Sequence, residues 1–412
     1  MPADSLLKDK SFVPIIILYV FLVSMCVCGV YLTNYSRLSI IALSIVSFSA
    51  VISAALLISW GAECYQFIVS QGFAVAVIAL LQVIPEFLVE AVIAWQQDIH
   101  LMMANFTGSN RLLMGVGWSG VYFISAVATY MKTKKFMPEI KIPEVHSIEI
   151  FALLLSSFYF CVVLIKGTVS IIDSIVLFAI FAWYMRLLFK LDPEDKEREE
   201  DLLAPCKAIV NIKNSVIKKT AIFGLFIIGG LTFFFVAEPF LHSLRGLSAM
   251  LGISTFVFVQ WVAPFLSEFP EKVTAFYWAA QIKLAPMGLI NFVSSKVNQW
   301  TLLIAMVPIV YSISRGSLSV IPLDMFHKEQ IFLSMVMTFY GCSCLAKFRF
   351  TFMDAVIMFS LWFLQFVRPE TANMTSFAFI VGTCANLFFY RKEIHLFKSF
   401  ISTCRGAKPS IS

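Results

Sequence analysis

Apolar residues run in blocks along most of the chain, each near the ~20 residues that cross a hydrocarbon layer as a helix. The blocks cover residues 12–32, 38–64, 71–95, 98–129, 148–165, 168–189, 221–241, 251–280, 284–313, 331–346, 350–367 and 374–390, with mostly short polar connections. They predict an all-α polytopic membrane protein with about 12 transmembrane helices. The first block follows Lys8 and Lys10 and has no small-residue cleavage pattern, so an uncleaved helix is expected. One connection is long and charged, residues 191–219, with the run Asp192-Pro193-Glu194-Asp195-Lys196-Glu197-Arg198-Glu199-Glu200-Asp201. It reads as a solvated linker, since it lacks the ligand spacing and glycine of a calcium-binding loop.

The few polar positions inside the blocks recur in order. Ile84-Pro85-Glu86 in the third block returns as Phe269-Pro270-Glu271 in the eighth. Asn105-Phe106-Thr107-Gly108-Ser109-Asn110-Arg111 returns as Asn291-Phe292-Val293-Ser294-Ser295-Lys296, and Asp173-Ser174-Ile175 as Asp354-Ala355-Val356. Gly61-Ala62-Glu63 and Ala237-Glu238 precede the two Pro-Glu blocks. Two five-helix repeats are therefore expected, residues 38–190 and 220–368, joined by the linker at 191–219. Residues 1–37 add a helix before them, and residues 369–412 add a helix and a tail after them. Polar groups in such blocks must face protein or a wet cavity, because lipid offers them no partner.

Charge gives the layout a direction. With the blocks as spans, and Arg186 near the end of its block counted with the linker it adjoins, 22 of the 31 Lys and Arg fall on the side of the N-terminus and 6 on the other, while Arg111, Lys272 and Lys296 lie within spans. Positive residues accumulate on the cytoplasmic side, so both termini and the linker are expected there, in a bacterial inner membrane. Five crossings per repeat then give the repeats opposite orientations around a midplane site. Composition agrees: 59% of residues are apolar and 14% charged, with 42 Phe, against about 25% charged in a soluble domain. The net charge of +6 belongs to the basic fringe of the spans, and no nucleic-acid partner is implied. The nine cysteines lie mostly within apolar runs without paired spacing, which reads as packing rather than a disulfide or zinc framework. No nucleophile, metal-ligand or cofactor pattern marks an enzyme. The partners implied are the lipid bilayer and inorganic cations, with the oligomeric state left open.

An ionised carboxylate in a span costs roughly 2.5 to 3.5 kcal/mol on insertion scales, so Glu86 and Glu271 are candidate functional groups. Proline removes a backbone hydrogen bond, so Pro85 and Pro270 would leave the carbonyls of Leu81 and Leu266 free for a cation. On one continuous helix Gln82 would lie over Glu86, and Ser267 and Glu268 over Glu271. Carboxylates, an amide, a hydroxyl and carbonyls form an oxygen cage suited to Ca²⁺ or Na⁺. The competing reading makes Glu86 and Glu271 structural partners of Arg111 and Lys296. Lys296 itself reads either as a counter-charge for Glu268 or Glu271, or as a residue snorkelling to the headgroups. Glu63 and Glu238 read as anchors near helix ends, and Asp173 and Asp354 as helix caps.

The order Gly-Ala-Glu, Pro-Glu, Asn-x-x-Gly-Ser-Asn, duplicated in inverted orientation over residues 38–368, resembles the cation/calcium exchanger superfamily, to which sodium/calcium exchangers belong. The resemblance implies that Glu86 and Glu271 are the central acidic ligands and Ser109 and Ser295 the hydroxyl ligands of the following helices. It also places Gln299 at a ligand position four residues beyond Ser295, where the first repeat has Leu113. Gln82-Val83 and Ser267-Glu268 stand where the family has Thr-Ser, and Lys296 stands where it has Asn. The function implied is secondary-active, sodium/calcium exchanger-like cation antiport by alternating access. A cation/proton exchanger of the Ca²⁺/H⁺ type, or a non-transporting sensor or assembly subunit on the same fold, is the alternative.

Overall fold

Apolar runs end where the side chains stop favouring lipid, but helices end where the backbone finds a cap, and the structure separates the two. The computed structural model describes residues 13–65, 67–68, 83–190 and 202–405. In chain order these form α1 (Val13–Tyr35), α2 (Ile40–Tyr65), α3 (Ile84–Trp95), α4 (Ile99–Leu112), α5 (Ser119–Thr133), β1 (Glu139–Lys141), α6 (Ser147–Lys166), β2 (Thr168–Val169) and α7 (Ile171–Leu188). After the linker come α8 (Ala204–Val210), α9 (Ser215–Leu251), α10 (Thr255–Ser267), α11 (Phe269–Ala280), α12 (Ala285–Asn298), α13 (Ile304–Arg315), β3 (Ile321–Pro322) and α14 (Met325–Leu345). The chain closes with β4 (Arg349–Thr351), α15 (Phe352–Val367), α16 (Ala372–Phe389) and α17 (Leu396–Cys404). α9 outruns its predicted block at both ends: Asn214 accepts from the Val216 and Ile217 N–H groups at 2.9 and 3.2 Å, and Gly252 closes the helix at φ +66°.

Among the described residues eight helical segments are long and apolar enough to cross a membrane, and α10 and α15 are apolar but shorter. With α3, the α10–α11 pair, α14 and α15, the all-α polytopic layout predicted from the apolar blocks is present. Helices α2 to α7 recur in order as α9 to α15, with the second set inverted by the odd number of crossings. The helices outside the repeats are the least covered. Buried residues make up 17% of the apolar stretch of α1 and 22% of the last span, against 67% for residues 285–315. The spans holding the polar motifs are thus the ones enclosed by protein.

The chain divides into two compact units, residues 1–92 with 192–271, and residues 93–191 with 272–412, so two of the three divisions fall within the Pro-Glu helices α3 and α11 and the third at the linker. In the first unit α2 and α9 pack through small residues. A Cβ on Gly229 would stand 2.8 Å from the Ala54 carbonyl, and Ser47 bonds Ser243 across the contact at 3.2 Å. In the second unit two antiparallel ladders tie loops together: β1 pairs with β4, Ile140 opposite Phe350, and β2 with β3, Val169 opposite Ile321. Each ladder joins loops that the span count puts on the same face, 130–147 with 347–349 and 166–167 with 314–330. The ladders therefore agree with the predicted order of crossings.

Asp173 and Asp354 refine the sequence reading. Ser170 and Thr351 are the cap residues, and the aspartates sit three positions on as the acidic members of capping boxes. Glu238 lies in the middle of α9, exposed beside Pro239, and not near a helix end.

Candidate cation site

Each Pro-Glu pair starts a half-helix. Ile84 and Phe269 are the first residues of α3 and α11, the prolines second and the glutamates third. Proline fits there because the first helical N–H groups have no intrahelical partner. A glutamate in the first turn lies beside the N–H groups that begin the helix. Glu86 is 1% and Glu271 6% exposed, so each carboxylate is held inside protein by this local arrangement.

The continuous helix expected through Pro270 is absent. α10 stops at Ser267, and Glu268 has φ −95° and ψ 5° before α11 begins. Ser267 and Glu268 therefore do not stack over Glu271 on one helical face. The Glu268 N–H turns back to Pro264 O at 3.0 Å, which closes α10. A proline in the second position of a new helix breaks the span outright, whereas an interior proline would only have kinked it. Ser267 Oγ donates to Ala263 O at 3.1 Å, and Glu268 is buried at 4% exposure. Gln82 and Leu81 lie outside the described residues. Glu90, one turn beyond Glu86, is fully buried. Glu63 is an anchor as read: at the end of α2 its Oε2 lies 3.0 Å from Cys206 Sγ of α8.

In the second unit every residue of α4 from Leu101 to Leu112 is buried, including Asn105, Thr107, Ser109, Asn110 and Arg111. This is the fate required of polar groups in a span. α12 repeats the pattern with Ser295, Lys296 and Asn298 buried. The two motifs meet directly: Lys296 Nζ donates to Asn110 O at 2.7 Å and to Asn110 Oδ1 at 3.3 Å. Corresponding positions of the two repeats thus bond each other, next to Ser109 and Ser295. Lys296 does not snorkel, since it is fully buried with its ammonium 5.8 Å from the Trp300 ring centre. Arg111 turns to α14, donating to Gln330 Oε1 at 2.9 Å and to Thr107 O at 3.1 Å. Arg111 and Lys296 each lie two or three residues before their helix passes into a π turn.

Immediately after each motif the helix widens into a π turn, Leu113–Trp118 in the first repeat and Gln299–Leu303 in the second. Leu113 and Gln299, the two positions four beyond the serines, are the first residues of these turns. A π turn inserts an extra residue and re-aims the side chains at its start. Gln299 is buried at 1% exposure. Neither the π turns nor Gln330 emerged from the sequence reading. A buried Arg in α4 did imply a polar acceptor, but nothing in the sequence pointed to α14 as its source.

Among the described residues no group of three or more His, Cys, Asp or Glu could hold a metal ion.

The profile of the sodium/calcium exchanger protein family matches residues 39–190 and 221–368. No curated protein matches the sequence. The crystal structure of the H⁺/Ca²⁺ exchanger CAX superposes with a TM-score of 0.86 at 31% identity, covering 96% of this chain and 98% of that one. The sodium-calcium exchanger NCX_Mj, soaked with 100 mM Na⁺ and 10 mM Sr²⁺, gives a TM-score of 0.52 at 18% identity over 85% of this chain and 98% of that one, a likeness of fold. With the family profile over most of its length and the fold shared almost end to end with an exchanger at 31% identity, the chain belongs to the sodium/calcium exchanger family, whose members are transporters and not enzymes.

Proposed function

We propose that this protein is a calcium antiporter that uses protons as the counter-ion, with Ca²⁺ as cargo and no resident cofactor. The observation that carries the reading is the 31% identity to an H⁺/Ca²⁺ exchanger over 96% of this chain. The buried carboxylates in the first turns of α3 and α11 support it. A carboxylate sealed from water must be neutralised by a cation or a proton when its partner leaves, so Glu86 and Glu271 can hand one for the other. Ser109, Ser295 and Gln299, with Ser267, Glu268 and Gln82, are the neutral and acidic oxygens proposed to complete the cation's shell. The two repeats exchange access to the midplane, and both termini and the linker face the cytoplasm.

The test is Ca²⁺ uptake into proteoliposomes under an imposed pH gradient or an imposed Na⁺ gradient. Uptake is expected with the pH gradient and not with sodium, and Glu86→Gln and Glu271→Gln should reduce it to background while inserting normally. Sodium-driven uptake indifferent to pH would overturn the proton coupling. Wild-type flux in both variants would return the glutamates to a structural role. One feature favours a non-transporting role: Arg111, Lys272 and Lys296 bring buried positive charge into the helices of the site. Absence of flux under either gradient would select that role.

A further inference from the structure

Two histidines meet in the second unit, one from α4 and one from α14. His100 is the second residue of α4 and His327 the third of α14. Each helix is capped by an aspartate: Asp98 Oδ1 accepts from Leu101 N–H at 3.0 Å, and Asp324 Oδ1 from His327 N–H at 2.7 Å. His100 Nδ1 lies 3.1 Å from His327 Nε2, and His327 Nδ1 lies 3.1 Å from Asp324 Oδ1. The ring of Phe326 covers His100 with centres 5.7 Å apart. His327 is buried at 6% exposure while His100 is exposed.

We propose that His100 and His327 form a binding site for a divalent transition-metal ion of the Zn²⁺ class, with Asp324 orienting His327 from behind. Two imidazole nitrogens on one zinc ion, each at ~2.0 to 2.1 Å in tetrahedral geometry, stand ~3.3 Å apart. The observed 3.1 Å is within a few tenths of an ångström of that spacing. Asp324 Oδ1 stands 3.1 Å from His327 Nδ1 without a hydrogen bond between them, on the far side of the ring from His100; a metal on Nε2 would leave the ring proton on Nδ1, toward that carboxylate, the carboxylate–histidine–metal order found behind metal-bound imidazoles. In the metal-free protein a ring N–H of one histidine meets the lone pair of the other. For both nitrogens to bind one ion that proton moves to the outer nitrogen of its own ring and the rings turn until the two lone pairs converge, without net proton release. Among the described residues no group of three or more His, Cys, Asp or Glu could hold a metal, so the ion would keep water in its remaining positions and bind openly and reversibly. Imidazole pairs prefer zinc, nickel and copper to Ca²⁺, which favours oxygen, so the site is distinct in chemistry from the cargo site. A bound ion would bridge α4, which carries Ser109 and Asn110, to α14, which carries Gln330.

Zinc alone, titrated calorimetrically into the full chain in detergent, tests the site without any flux measurement. Wild type is expected to bind one equivalent more than His100→Ala or His327→Gln. Asp324→Asn should keep the stoichiometry and weaken that equivalent by about tenfold to a hundredfold. His100 is exposed, so His100→Ala alone decides should the buried substitution impair folding. Equal zinc binding by wild type and His100→Ala overturns the proposal.

Discussion

The two repeats carry the same local device in different surroundings, so one substitution made twice separates sequence from environment. Asp354 Oδ2 accepts from Thr351 N–H at 2.9 Å and Thr351 Oγ at 2.8 Å, and lies 3.2 Å from Lys347 Nζ. The side chains of Lys347 and Asp354 are 1% and 5% exposed, with the ammonium 4.2 Å from the Tyr390 ring centre. Asp173 repeats this: it accepts from Ser170 N–H at 2.6 Å, Ser170 Oγ at 2.7 Å and Tyr159 OH at 2.7 Å, and pairs with Lys166. Lys166, however, is 37% exposed. Asp354→Ala removes a cap worth ~1 kcal/mol and strands a buried ammonium, and breaking a buried pair from one side costs about 3 to 5 kcal/mol. Asp173→Ala removes the same cap and a tyrosine's acceptor, but Lys166 returns to water, so the cost should be about 1 to 2 kcal/mol. Replacing Lys347 by Met together with Asp354→Ala should recover most of the larger loss, because no charge is then left unpaired. Thermal unfolding in detergent can be followed by reaction of a thiol dye with the buried Cys342 and Cys344. Equal destabilisation by the two aspartate variants, or no recovery in the double variant, would refute the reasoning.

Two other outcomes follow from buried charge. Lys296→Asn removes a positive charge from the helix carrying Ser295 and restores an amide beside Asn110, so it should raise Ca²⁺ affinity and weaken the pH dependence of binding; unchanged calorimetric affinity at two pH values would discount the lysine as a resident counter-charge. The charge bias places the residues around Lys213 and the tail around Lys398 in the cytoplasm, so single cysteines there, on a cysteine-free background, should label only after permeabilisation; labelling from outside would reverse the inferred orientation.

The sequence by itself determined the class of this protein and the places where chemistry had to be sought. A carboxylate or guanidinium inside an apolar run is costly in lipid, so Glu86, Glu271, Arg111 and Lys296 had to be enclosed by protein whatever the packing, and they are. The same local logic marked both repeats and the acids at Asp173 and Asp354, because period, breakers and capping residues act within a few positions of themselves. Tertiary structure decided what local rules leave open. Pro270 could kink a helix or start one, and only the helix end at Ser267 settles that it starts one. Lys296 could face lipid, a carboxylate or a carbonyl, and the crossing of α12 with α4 gives it the carbonyl of Asn110. Gln330, far away in sequence, becomes the acceptor for Arg111, and His327 becomes the neighbour of His100, only because α14 packs beside α4. The π turns at Leu113 and Gln299 likewise belong to packing, since a widened turn is unfavourable locally and survives where its neighbours hold it. Short-range forces therefore specify where polar groups lie along the spans, and long-range packing chooses their partners.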